Sequence, residues 1–350
     1  MSYAVSSNPR LEAFYGRVRK QSLCPLWQTQ TYDAPTGKIR PWLWRWDTLR
    51  ENMLEACEIV PLGGDDGAER RVLTLANPTQ TAGPWPTRTL IAACQLVLPG
   101  EEAPSHRHTM AALRFIIEGS GGYTIVDGEP LSMEPGDLIL TPSWSWHGHA
   151  HEGMGPMLWL DVLDVPLVRS LDSQFYEEYS EPRSLQEPEK RPDESAHFSY
   201  KWTQTRESLD RLKESEPNPY EGYALTFTNP FTGGPVMPTI SCSAHLFTSG
   251  QRTKSRRSLA NYIHHVVEGS GYSIIDGQRF DWKQHDTFCV PTWCWQEHVA
   301  GSEDAVLFTC QDAPVLKALG LYREQTYGGD GHQQALSMFT GELPEQSRER

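Results

Sequence analysis

Two stretches of this chain are versions of one another. The first is Phe115-Ile116-Ile117-Glu118-Gly119-Ser120-Gly121-Gly122-Tyr123-Thr124-Ile125-Val126-Asp127-Gly128. The second is His265-Val266-Val267-Glu268-Gly269-Ser270-Gly271-Tyr272-Ser273-Ile274-Ile275-Asp276-Gly277. They lie 150 residues apart at Gly119 and Gly269, and 149 apart once the first copy's extra glycine is passed. The match continues downstream, with Pro142-Ser143-Trp144-Ser145-Trp146 against Pro291-Thr292-Trp293-Cys294-Trp295. Upstream, Gly100 answers to Gly250 and Asn77-Pro78 to Asn229-Pro230. One module is present twice.

Each copy reads as short strands. Leu90 to Leu98 is an apolar run closed by Pro99-Gly100, and Tyr123 to Val126 is aromatic and β-branched before an Asp127-Gly128 hairpin turn. Leu138 to Thr141 sits between Pro135-Gly136-Asp137 and Pro142. Many short strands with tight glycine turns predict a small barrel or double-sheet roll, here two of them in an all-β-dominated chain. The ends and the middle differ. Asp47 to Ile59 carries apolar residues at helical spacing, and Arg206 to Glu214 reads as one amphipathic helix in a charged connector. The expected division is an N-terminal helical or extended segment at 1-75, a first barrel at 76-168, a linker with a helix at 169-225, a second barrel at 226-325 and a tail at 326-350. Within that tail, Glu342 to Arg350 reads as solvated.

The 350 residues include 31 Lys and Arg against 45 Asp and Glu, a formal charge of -14, which disfavours general binding to nucleic acid or anionic lipid. No apolar run reaches the length of about 18 residues that a membrane span needs. Met1-Ser2-Tyr3-Ala4 leads into a polar segment with no stretch of signal-peptide length. The seven cysteines form no CxxC pair, which fits reduced thiols and a cytoplasmic location.

The chemistry is concentrated in the first copy. Alternation along a strand puts both imidazoles of His106-Arg107-His108 on one face, and His147-Gly148-His149 repeats that spacing at the end of another strand. Converging His106, His108 and His147 would offer three neutral nitrogen ligands to a first-row divalent metal and leave positions open. The spacing alone does not choose among iron, zinc and manganese. In an unbroken strand Arg114, eight residues after His106, would share the ligand face.

The pattern of Gly100, five residues, His106-x-His108, then Gly136, five residues, Pro142 and His147 resembles the two motifs of the cupin superfamily. Many cupins carry a glutamate after the first histidine pair; here Thr109 to Arg114 has no acid, which points to a three-histidine site. The resemblance narrows to the gentisate 1,2-dioxygenase family, which includes salicylate and 1-hydroxy-2-naphthoate dioxygenases. It rests on His106-Arg107-His108-Thr109, Ala112 to Gly119, Pro142-Ser143-Trp144, Trp146-His147 and Trp159-Leu160-Asp161. Pro25-Leu26-Trp27, Leu43-Trp44-Arg45 and Glu69 to Leu73 extend it, from about residue 12 to 325.

That resemblance implies a bicupin of two double-stranded β-helix (jelly-roll) barrels, assembled as a homotetramer. It also implies one Fe(II) per chain on His106, His108 and His147, with O2 as co-substrate. The substrate is then a small aromatic carboxylate, opened between its carboxyl- and hydroxyl-bearing carbons. Arg114 and His149 fall on the family's substrate-contact and catalytic positions, as do Gln95 and one of Arg70 and Arg71. Asp161 is either an orienting group or a structural strand-end aspartate. Ile91 stands where the family has tryptophan, Met110 where glutamine is usual and Gly148 where aspartate is common. These departures lead us to expect a substrate whose ring substituent opposite the hydroxyl is bulkier or less hydrogen-bonding than the 5-hydroxyl of gentisate, such as 5-nitrosalicylate.

In the second copy His106, His108 and His147 become Arg256, Ser258 and Gln296, and a guanidinium is no ligand at neutral pH. The second barrel is expected to hold no metal, with His264, His265 and His298 structural or interfacial. Two other readings remain open: a non-catalytic cupin that binds a small aromatic acid, and a zinc or manganese cupin acting as hydrolase or isomerase.

Overall fold

The computed structural model describes residues 8–29, 31–35, 37, 39–63, 67–179 and 198–342. Glu187 to Arg191 of the expected linker, Met1 to Ala4 and the tail from 343 onward lie outside the described residues. The chain divides into two compact units, residues 1–36 and 37–350. In the first, helix Pro9–Lys20 starts at Asn8, whose side chain accepts from Arg10 N, and Trp27 Nε1 donates to Tyr15 Oη at 3.1 Å.

The second unit holds both repeats. The first repeat is two antiparallel sheets. One runs Arg71–Thr74, Ile91–Val97, Met157–Leu163, Ala112–Glu118, Leu138–Thr141 and Ser199–Tyr200 in spatial order. The other runs Tyr176–Glu178, Glu102–His108, His147–His151, Gly122–Val126 and Glu129–Met133. The sheets face each other through Val97, Ile116 and Trp159 on one side and Val126, Leu131 and Met133 on the other. The second repeat builds the same pair of sheets, with Ser241–Phe247, Tyr262–Glu268 and Ala305–Gln311 in one and Arg256–Ser258, Ser270–Ile275 and Gln296–Ala300 in the other. Each repeat is therefore a jelly roll, and the chain is a bicupin.

Local chemistry explains the hairpins. Asp127 and Gly128 both have positive φ (47° and 88°), as do Asp276 and Gly277 (48° and 76°), the backbone that a right-twisted two-residue turn needs. The two rolls stack back to back through their outer sheet faces, where Phe115 lies on Phe308 with ring centroids 4.3 Å apart. The junction is reciprocal. Asp164 accepts from Ala111 N and from Thr239 Oγ1, while Asp312 accepts from Asn261 N and from Thr89 Oγ1.

The duplication also reaches further than the sequence match. Helix Trp46–Ile59 and helix Trp202–Leu212 begin alike: Trp46 N donates to Asp286 and Trp202 N to Asp137. Just before them, strand Trp42–Trp44 pairs with Thr287–Val290 of the second roll, and Ser199–Tyr200 pairs with Leu138–Thr141 of the first. The N-terminal arm thus completes the C-terminal roll. All seven cysteines are free thiols, and none of the described helices is long and apolar enough to cross a membrane.

Candidate active site

Strand Glu102–His108 lies beside strand His147–His151, with His106 directly opposite His147. Alternation carries His108 to the same face, and the three imidazoles converge with ligand atoms within 4.8 Å of one another. All three are buried. The His108 Nδ1 lies 2.8 Å from the Met110 carbonyl oxygen and the His147 Nδ1 lies 3.0 Å from that of Ser145. A carbonyl can only accept, so these Nδ1 atoms carry the proton and each Nε2 keeps its lone pair. Burial holds all three rings neutral: it is the main cause that pushes His106 down to about 2 and His108 to about 4, and His147 falls well below its ordinary value, helped by the Arg114 cation. Three buried, neutral imidazoles, two of them with the proton fixed on Nδ1, and no acid among them suit a divalent metal with open positions.

Arg114 reaches this chamber from the facing sheet. The chain is not one strand from His106 to Arg114; it turns a corner at Thr109 to Ala111, where Asp164 binds the backbone, and Arg114 faces inward on the next strand. The Arg114 guanidinium donates to Thr141 Oγ1 at 2.5 Å and sits 3.4 Å from Asp161 Oδ1. Asp161 Oδ2 accepts from Trp159 Nε1 at 3.0 Å. Burial outweighs the pairing for both charges, lowering Arg114 to about 10 and raising Asp161 to about 6, so both are ionised at neutral pH.

Four polar atoms in this region are buried without a hydrogen-bond partner: Gln95 Nε2, Arg114 Nε, Asp161 Oδ1 and His149 Nε2. Gln95 stands opposite Trp159, and Asp161 opposite both Ala93 and Arg114, which places these side chains on one inner surface. His149 rests on Trp159 (centroids 5.0 Å) with Nδ1 3.0 Å from Thr124 Oγ1. Buried polar groups are rarely left unpaired without a reason, and a polar ligand is the simplest one here.

The two arginines separate cleanly. Arg71 makes a bidentate pair with Glu101 and donates Nε to the Val60 carbonyl, so it is a structural clamp away from the triad, contrary to its place among the expected substrate contacts. Arg70 donates to the Pro104 carbonyl and lies against His106 Nδ1. Ile91 begins the strand that carries Gln95, on the same face, and Met110 is buried beside His108. Gly148 does not line the chamber. A Cβ there would meet Ser105 Oγ at 2.8 Å, on the opposite face from His147 and His149, so the loss of a side chain at 148 has no direct bearing on substrate.

Sequence reasoning missed Glu69 and Tyr176. Tyr176 stacks on His106 (5.1 Å, 29°) and its hydroxyl donates to Glu69, whose Oε1 is 3.3 Å from Arg70 Nε. Tyr176 belongs to a three-residue strand, Tyr176–Glu178, that adds to the ligand strand from within the polar connector, where no periodicity marks it.

A cupin-domain family model matches residues 94–163. The chain is 35% identical to a 5-aminosalicylate 1,2-dioxygenase of Comamonas sp over 95% of its length and 94% of that protein's. It is 36% identical to gentisate 1,2 dioxygenase 1 of Aquipseudomonas alcaligenes, covering 89% of this chain and 95% of that one. The chain belongs to the gentisate/salicylate 1,2-dioxygenase family. A crystal structure of another member, salicylate 1,2-dioxygenase from Pseudoaminobacter salicylatoxidans as an adduct with gentisate, superposes with a TM-score of 0.83 at 31% identity, over 93% of this chain and 96% of that one. As a member of this family of ring-cleaving oxidoreductases, the chain carries its triad, arginine and acid in one chamber of the first roll.

Proposed function

We propose that this protein is an Fe(II)-dependent 1,2-dioxygenase that opens gentisate or a 5-substituted salicylate between the carboxyl- and hydroxyl-bearing carbons. The observation that carries the reading is the chamber itself: three buried neutral imidazoles facing a buried Arg114–Asp161 pair. His106, His108 and His147 would hold the iron, which supplies the open positions where substrate and O2 meet and the redox chemistry between them. The chain's own residues do the rest. Arg114 binds the anionic end of the substrate, and Asp161, 3.4 Å from its Nε, keeps that guanidinium oriented. Arg70, held by Glu69, stands ready at the other side of His106. Gln95 Nε2 and His149 Nε2 offer hydrogen bonds to the substrate oxygens, His149 being the group that can hold a proton there.

Ile91 and Met110 contribute no hydrogen-bonding side chain where the family has tryptophan and glutamine, which supports a substituent less polar than the 5-hydroxyl of gentisate. The gentisate bound by the relative supports the aromatic carboxylate class. We also infer that the functional division follows the repeat, residues 76–168 doing the chemistry and 226–325 lacking a metal, in a cytoplasmic homotetramer. An oxygen electrode tests the reading. Fe(II)-loaded protein should consume O2 with salicylates and turn over 5-nitrosalicylate or 1-hydroxy-2-naphthoate with higher kcat/KM than gentisate. Substrate binding without O2 uptake would overturn the enzyme reading, and a large preference for gentisate would overturn the substituent.

A further inference from the structure

The second roll has lost its ligands but not its opening. Where the first roll has His106, the second has Arg256, and beside it lies a recess of about 470 Å³, within the size range of small-molecule sites. A smaller cavity of about 20 Å³, room for a single water, continues inward past Arg256, Tyr262 and Gln311 to His264 and His298. These two histidines occupy the positions that Arg114 and His149 hold in the first roll.

The donors and acceptors around this recess do not balance. Among the described residues Arg256 makes one side-chain hydrogen bond, to Glu221 at 2.5 Å, and its remaining N–H groups have no protein partner. Lys317 reaches the same recess, 5.1 Å from the Tyr322 ring centroid, and its charge acts on Glu221, but among the described residues it forms no ion pair. The two acids on the wall are already engaged, Glu221 with Arg256 and Glu324 with the Tyr322 hydroxyl. The two cations and two acids leave the recess formally neutral, but N–H donors of Arg256 and Lys317 stay free over a wall that includes Tyr262, Tyr322 and Pro314. Such a surface accepts a flat anion: the carboxylate takes Arg256 and Lys317, and the ring packs on the aromatic and proline wall.

We infer that the C-terminal roll is a second binding site for a small aromatic carboxylate, without turnover. The ligand class is that of the proposed substrate, but the site stands on its own residues. The test is calorimetric titration of Fe(II)-loaded protein with salicylate under anaerobic conditions, so that nothing is consumed. Two sites per chain are expected. Lys317→Ala, on the exposed end of a short helix, should weaken one of them roughly tenfold or more, in line with loss of a charge-assisted contact. Arg256→Gln should do the same, while Arg114→Gln removes the other site. A single site lost in Lys317→Ala but kept in Arg114→Gln would uphold this inference and sink the assignment of the first chamber. A single site abolished by Arg114→Gln and untouched by Lys317→Ala and Arg256→Gln would overturn it.

Discussion

The two rolls share an architecture and differ in their interiors, and the difference sorts structural residues from chemical ones. Arg107 is sandwiched between Trp144 and Trp146 at 4.5 Å from each ring, and Arg257 lies between Trp293 and Trp295 at 4.5 and 4.4 Å. Trp144 and Trp293 share the left-handed backbone (φ 67° and 66°), and each donates its N–H to the strand opposite, to His108 O and Ser258 O. A strained tryptophan beside a metal triad invites a catalytic reading. Its twin beside Ser258 shows that it belongs to the corner of the fold. By contrast His106, His108, His147, Arg114 and Asp161 face Arg256, Ser258, Gln296, His264 and Thr309 across the repeat. Only the first set leaves buried polar atoms unpartnered; His264 is bonded at both nitrogens, to Thr309 and Gln296.

Substitutions at paired positions should widen or collapse that contrast. The largest effect is expected for His108→Ala, which should abolish metal retention and ring opening together, beyond the roughly 10–100-fold that loss of an outer partner costs. Gln296→Ala, at the position matching His147, should leave iron content and kcat within about twofold. Iron analysis and oxygen uptake on both variants decide it, and equal losses in the two would break the distinction. Next comes Arg114→Gln, expected to lower kcat/KM by about 10²-fold with iron retained, since a buried donor to the substrate anion is removed. His264→Gln in the second roll should leave kcat/KM for ring opening unchanged.

Phe115→Ala acts on both rolls at once. It empties the stack on Phe308 and should cost about 3–5 kcal/mol in urea unfolding, without shifting the optimum substrate. The smallest effect concerns acid. The histidines of both rolls have pKa values lowered by burial, to about 4 at His108 and about 3 at His264 and His265. They are neutral in the folded chain and protonate when it unfolds, so stability should fall as pH drops from the unfolded value of about 6.5 toward 4. Loading Fe(II) should raise the urea midpoint and keep this slope, because ligands on a metal are held unprotonated and still take up protons when the chain unfolds. A slope that vanishes on loading would contradict neutral histidines in the folded chain.

Much of this was legible in the sequence, for physical reasons. The Asp-Gly turns and the His-x-His pairs declare themselves because turn backbone and strand alternation each demand a residue type at fixed spacing. Helix Trp46–Ile59 and strand Leu138–Thr141 follow from local pattern in the same way. Tyr176, Glu69 and the exchanged arms were not legible. Tyr176 and the arms pair with strands far along the chain in segments of two or three residues, too short to show a period, and Glu69 joins the site only through the Tyr176 hydroxyl and Arg70. The choice of Arg70 over Arg71 likewise depended on Glu101, thirty residues away, capturing Arg71.

The central claim is that one roll, and only one, carries the metal. Iron content per chain, measured after anaerobic reconstitution of the wild type and of His106→Ala, tests it most directly. The account predicts one equivalent for the wild type and none for the variant. Two equivalents in the wild type, or one retained in His106→Ala, would contradict it.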